Sequence, residues 1–250
     1  MLSAAAVPLG RLVALFAALM VAGTLLTVPL FRFDLRRFVR STLFVKIVLW
    51  APIFVVFVAM LYAGNAVRFS ILAVLAVMGL TELVVVLRRA PAGRVLAIAY
   101  FCGWSVALLH FFALAVVFAS RIVPLLIVVC FASVLGDVAA FFMGNYLGKH
   151  KLPKAFNDRK SWEGVAGQVM GAVIGVWLVN AVVTPVPVWW LWLPVGVGSA
   201  AGDLTNSFVK RRLGIKDWSQ NIPGHGGYLD RLSSLAGSGA LTFWALFLTR

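Results

Sequence analysis

The sequence predicts an all-α polytopic membrane protein of about eight transmembrane helices. Three observations carry this expectation. Of 250 residues, 62% are hydrophobic and only 12% are charged, whereas a soluble domain carries about a quarter charged residues. The apolar residues form continuous runs of about 20, the length of a helix across a bilayer core. The basic residues gather in every second loop between those runs. Lipid leaves helices and closed barrels as the spanning structures, and continuous rather than alternating runs select helices.

Taken in order, the first run, 12–31, is long for the apolar core of a signal peptide. It lacks a clear small-residue cleavage site and leads into a basic loop, so it reads as a retained helix. Loop 32–42 holds Arg32, Arg36, Arg37 and Arg40, with Asp34 as local electrostatics among them. Spans 43–62 and 69–87 follow, separated by a loop with Arg68. Glu82, near the end of the second of these, has Arg88 and Arg89 in local reach and reads as half of an ion pair. Arg88, Arg89 and Arg94 mark loop 88–94. Span 95–118 contains His110, read as a packed or hydrogen-bonded histidine, and Arg121 separates it from span 122–143. Loop 144–163 carries Lys149, Lys151, Lys154, Arg159 and Lys160. Spans 164–183 and 188–207 are joined by an uncharged loop, and Trp189, Trp190 and Trp192 read as an interfacial aromatic anchor. Loop 208–232, with Lys210, Arg211, Arg212, Lys216 and Arg231, precedes the last span, 233–249. The rich loops alternate as eight spans require. The positive-inside rule makes them cytoplasmic and puts both termini on the other side.

The formal net charge of +14 does not indicate nucleic-acid binding, because the basic residues are dispersed through short loops and no soluble basic module exists. They set topology and attract anionic headgroups and polyphosphates. Cys102 and Cys130 lie in apolar runs with neither metal nor disulfide spacing. Residues 1–250 read as a single integral-membrane domain, with N-terminal helices over 1–120 and the chemistry-bearing helices and loops over 121–250.

Carboxylates are scarce, and Asp158, Glu163, Asp203, Asp217 and Asp230 fall in or beside the last two basic loops. Asp137 and Asp203 lie within apolar spans, where a carboxylate is costly unless paired or bound to a cation. A salt bridge, a polar contact between helices and a metal site are the open readings for both. Polar chemistry concentrates in Ser207-Phe-Val-Lys210-Arg211-Arg212-Leu-Gly-Ile-Lys216-Asp217 and in Pro223-Gly-His225-Gly226-Gly227-Tyr-Leu-Asp230-Arg231. Fixed charges beside a membrane, with glycines that let backbone approach a ligand, point to an anion and a metal handled at the bilayer surface.

This segment resembles the signature of phosphatidate cytidylyltransferases: Ser207, Lys210-Arg211, Lys216-Asp217, His225-Gly226-Gly227 and Asp230-Arg231. A second block resembling the family opens at Asp137, continues through Gly144-Asn-Tyr-Leu-Gly148-Lys149-His150-Lys151-Leu152 and closes with Lys160-Ser-Trp162-Glu163-Gly164. Gly202-Asp203-Leu204 is a third piece. The resemblance covers about 130–235, and the N-terminal half is similar only as a hydrophobic region. It implies that CTP and phosphatidate yield CDP-diacylglycerol and pyrophosphate with Mg²⁺, in an active site at the cytoplasmic boundary of a bacterial inner membrane. It further implies Asp203 and Asp230 as metal ligands, a second cation as an option, and a homodimer.

The residues suit that chemistry. A phosphate nucleophile is already anionic at neutral pH, so positioning and charge neutralisation replace a Ser-His-Asp apparatus. Lys210, Arg211 and Lys216 would clamp phosphates. Asp217 would orient Lys216 or a metal-bound water. His225 would bond phosphate or orient Asp230, and Gly226 and Gly227 would offer backbone N–H groups. Lys160, Trp162, Glu163 and Gly164 would form the other wall of the nucleotide site, with Asp137, Ser207 and Arg231 among the substrate-binding residues. Two positions depart from the family pattern: Asn206 where a Glu is usual and Ser233 where an Asp is usual. Fewer carboxylates lower metal affinity. They keep two alternatives open: transfer to another lipid phosphate, such as an ether or polyprenyl one, or a weakened paralogue that binds or moves lipid.

Overall fold

Long helices form wherever the sequence runs apolar without interruption. The computed structural model describes residues 7–117, 122–154, 156–157, 159–185, 189–222 and 226–249. Among them the helices are α1 (Leu9–Thr27), α2 (Leu35–Val39), α3 (Thr42–Tyr62), α4 (Asn65–Arg89), α5 (Arg94–Val117), α6 (Ile122–Tyr146), α7 (Trp162–Leu178), α8 (Trp192–Arg212) and α9 (Tyr228–Leu248). The eight long ones coincide with the eight expected spans. Six candidate spans, from α1 and α3 through α7, are long and apolar enough to cross a membrane. The protein is an all-α polytopic integral membrane protein. α8 and α9 carry the polar residues of the signature and fall short of that apolarity.

Helix starts follow side-chain capping. Ser41 Oγ accepts from Phe44 N at 3.2 Å to open α3, and Ser161 Oγ accepts from Gly164 N at 3.2 Å to open α7. Asp34, read as loop electrostatics, is an N-cap: its Oδ1 accepts from Arg37 N at 3.0 Å and opens α2. α7 ends in a π-turn, Val179–Val183, whose side chains Val179 and Val183 are buried.

The core lies among α5–α9, with α1, α3 and α4 laid against it more loosely. Small residues allow the closest approaches, as expected where lipid removes the hydrophobic drive between helices. A Cβ on Gly171 would lie 2.3 Å from Leu135 O of α6, and one on Gly175 would lie 2.5 Å from Ala132 Cα. Between α8 and α9, a Cβ on Gly202 would meet Ser233 O at 2.1 Å.

A polar chain crosses the helix contacts, running from the exposed Asp137 to the buried Gln168 and Ser199. Asp137 Oδ1 of α6 accepts from Gln168 Nε2 of α7 at 2.7 Å and from Ser234 Oγ of α9 at 2.9 Å. Gln168 Nε2 also donates to Ser199 Oγ of α8 at 2.9 Å. His110 is a structural residue: its Nδ1 donates to Val106 O at 2.7 Å and its ring meets Phe243 and Trp244. Cys102 and Cys130 are free.

The basic loops gather at one end. Gly93 of the α4–α5 loop packs on Leu213 after α8, and Lys160 before α7 reaches Asp203. At the other end, Tyr62 Oη donates to Val7 O at 2.7 Å, and Trp189, 70% exposed, begins the turn into α8.

Candidate active site at the α8–α9 end

Two lysine–aspartate pairs organise this end. Lys160 pairs with the Asp203 carboxylate, and its Nζ also donates to Asp203 O at 3.3 Å. The pair is partly open, with the side chains 26% and 32% exposed. It joins the 144–163 loop to α8, and Phe156 adds a ring contact with Phe208 at 5.5 Å.

The second pair is closed. Lys210 Nζ lies 2.5 Å from Asp230 Oδ1, with the Asp230 side chain 1% exposed. Asp230 Oδ2 accepts from Trp218 N and Gly227 N, both at 3.0 Å. Asn206 Nδ2 approaches Asp230 Oδ1 and Ser233 Oγ, each at 3.4 Å. Asn206 Oδ1 accepts from Trp218 Nε1 at 2.8 Å, and the Trp218 ring stacks on Tyr100 at 5.1 Å. The two residues that depart from the family pattern therefore line the pocket of Asp230. There, Asn206 supplies a donor where Glu would supply a second buried charge.

The glycine-rich turn differs from the expected phosphate nest. Gly226 has φ +78°, and a Cβ on it would lie 3.0 Å from Asp230 Oδ2 and 3.2 Å from Asp217 Oδ1. The Gly227 N–H is taken by Asp230. The next two, Tyr228 N and Leu229 N, donate to Glu82 Oε1 and Oε2 at 2.8 and 3.0 Å. The first N–H groups of α9 are thus spent on carboxylates rather than offered to an anion. His225 lies outside the described residues, as do Asp158 and Arg121.

Glu82 also corrects the expectation of an ion pair with Arg88 or Arg89. It is fully buried, and its partners include Ser219 Oγ at 2.7 Å and the two α9 amides. Arg88 and Arg89 follow it on α4, but the ion pairs found among the described residues do not include them.

The remaining expected residues fall into three groups. Arg211, Lys216 and Arg231 are exposed and outside those ion pairs, so their charges stay available to an anion. Lys46 of α3 comes within electrostatic range of Lys216, Asp217 and Arg231, and is a site neighbour the sequence reading missed. Asp217 accepts from Gln220 Nε2 at 3.4 Å rather than pairing with Lys216. Ser207 is buried on α8. Trp162 is 56% exposed, while Glu163 turns back to His150, whose Nδ1 lies 2.6 Å from Glu163 Oε1 and whose N donates to the same oxygen at 3.1 Å. Glu163 thereby latches its own loop.

Metal fit divides the two expected ligands. Among the described residues no three His, Cys, Asp or Glu side chains converge on one point. Asp230 has donors on both oxygens and no face left for a cation in this arrangement. Asp203 is partly open, with Asp137 in electrostatic range. Those carboxylates suit Mg²⁺, which is commonly held by one or two carboxylates together with substrate phosphates.

The site thus joins two lysine–aspartate pairs at one end of a helical membrane bundle with the exposed cations Arg211, Lys216 and Arg231. The chain belongs to the Cytidylyltransferase family, whose match runs over residues 2–249. It is similar to phosphatidate cytidylyltransferases of Brucella suis biovar 1 (strain 1330), 42% identical over 112 residues, 43% of this chain and 41% of that protein. It is likewise similar to those of Synechocystis sp. (strain ATCC 27184 / PCC 6803 / Kazusa), 37% over 116 residues, 45% and 39% of the two chains, and Mycobacterium tuberculosis (strain ATCC 25618 / H37Rv), 38% over 118 residues, 45% and 35%. Each match covers under half of the relative's length.

Proposed function

We propose that the protein is a CTP-dependent cytidylyltransferase that converts phosphatidate to CDP-diacylglycerol. A phosphate oxygen of phosphatidate attacks the α-phosphorus of CTP. A new P–O bond forms, the bond to the β-phosphate breaks, and pyrophosphate leaves. The observation that carries this reading is the meeting of Lys160, from one basic loop, with Asp203 on α8, beside the Lys210–Asp230 pair. The family membership and the names of the relatives support it.

In this reading Arg211, Lys216 and Arg231 draw in and neutralise the phosphates of CTP, the main obstacle to joining two anions. Lys160 holds Asp203, and Asp203, with Asp137 beside it, would hold Mg²⁺. When bound, that ion would offset the charge developing on the leaving pyrophosphate. Lys210 and Asp230 keep α8, Trp218, Gly227 and α9 in register. The exposed Trp162 is available to the nucleotide base or to the headgroup layer. The basic end would face the cytoplasm of a bacterial inner membrane, where CTP is found, and the assembly would be a homodimer.

The test is purified protein with Mg²⁺, labelled CTP and phosphatidate. CDP-lipid and pyrophosphate should form in equal amounts, and their rate should fall by about a hundredfold or more in Asp203→Asn and Asp230→Asn. No product at protein levels well above catalytic rejects the proposal.

A further inference from the structure

Glu82 is 0% exposed and lies on α4, in the half of the chain where the sequence offers no chemical motif. Among the described residues, its hydrogen-bond partners come from the segment before α9 or from that helix's first residues. Oε1 accepts from Ser219 Oγ at 2.7 Å, Tyr228 N at 2.8 Å and Asn221 Nδ2 at 3.5 Å, and Oε2 accepts from Leu229 N at 3.0 Å. A Cβ on Gly227 would lie 2.6 and 2.7 Å from its two oxygens, so the glycine there makes room for the carboxylate.

These contacts interleave with those of Asp230. Trp218 N donates to Asp230 and the adjacent Ser219 to Glu82. Gly227 N donates to Asp230 and the adjacent Tyr228 N to Glu82. Both strands of the turn are thus gripped between two carboxylates, one from α9 itself and one from α4. Helix contact alone does not call for a buried acid, since small residues bring helices together at no such cost. Negative charge at a helix N-terminus is favourable, which offsets part of the burial.

We propose that Glu82 is a positioning residue of the cytidylyl-transfer site, fixing residues 218–222 and the first turn of α9, and through them the Lys210–Asp230 pair. Its effect on turnover rests on the cytidylyltransferase reading above; its grip on the turn does not.

Full-length wild type, Glu82→Gln and Glu82→Ala in lipid nanodiscs are compared by amide hydrogen exchange and by CTP kinetics. Exchange at Tyr228 and Leu229 should rise about tenfold or more in Glu82→Ala and less in Glu82→Gln, which keeps one acceptor oxygen. kcat should fall by about tenfold or more in Glu82→Ala, with KM for CTP within about threefold and Glu82→Gln between it and wild type. If Glu82→Ala does not accumulate, Glu82→Gln decides alone, because it keeps the side-chain volume and sets an NH₂ group against a donor. Unchanged exchange at both amides overturns the proposal, as does faster exchange with kcat within about twofold of wild type. If wild type transfers no cytidylyl group, the catalytic role falls with the functional reading, while an exchange difference still establishes Glu82 as the clamp of the turn.

Discussion

Asp230 and Asp203 perform different work despite their shared place in the signature. Asp230 is enclosed with Lys210, and removing one partner of a buried pair costs about 3–5 kcal/mol. Asp230→Asn is expected to lower the denaturation midpoint as well as activity. Asp203 is open by comparison, so Asp203→Asn should cost about a hundredfold in kcat with a small change in midpoint; paired activity and melting curves distinguish the two. Asn206→Glu restores the usual family residue but replaces a donor to Asp230 with a charge, and should destabilise by about 1–3 kcal/mol, measured by denaturant unfolding. Asn206 and Ser233 stood out in the sequence only as absent ligands. Their role as lining of the Asp230 pocket depends on Trp218 and Lys210 folding over them, which no local spacing encodes.

At the scale of elements, α7 starts where Ser161 caps it, one residue after Lys160. Ser161→Ala should cost about 1 kcal/mol and loosen the Lys160–Asp203 pair, raising KM for CTP more than it lowers the midpoint. Gly171→Ala puts a methyl group against α6 backbone and should destabilise by about 1–3 kcal/mol, seen as a lower melting temperature. All the long helices were legible, because continuous apolar runs and alternating loop charge agree. Glu82 was misread because Arg88 and Arg89 offered partners within one helix, while its true partners follow it by well over a hundred residues. The Gly226-Gly227 turn was correctly read as a place of close approach. What approaches is carboxylate, since two acids from different helices take the N–H groups first.

For the molecule as a whole, the basic loops meet at one end, which in the cytidylyltransferase proposal would set both orientation and substrate capture. Single cysteines at Arg36, Lys151 and Lys216, in a background without Cys102 and Cys130, should be labelled by an impermeant thiol reagent from the same face of inverted vesicles. With the α9 amides occupied, anion capture falls to exposed side-chain cations, so KM for CTP should rise with ionic strength as surface charges are screened. The shortfall of apolarity in α8 and α9 bears on how the protein is made. A helix is admitted to the bilayer largely on its own hydrophobicity, and each central charge counts against it by about 2.5–3.5 kcal/mol. The two helices that bear Asp203, Lys210 and Asp230 follow α6 and α7 in the chain and emerge from the ribosome after them. By then α6 and α7 already offer Asp137, Gln168 and a glycine-lined face to receive them. Chain order thus becomes a biogenesis programme, in which the early helices serve as the solvent for the late ones.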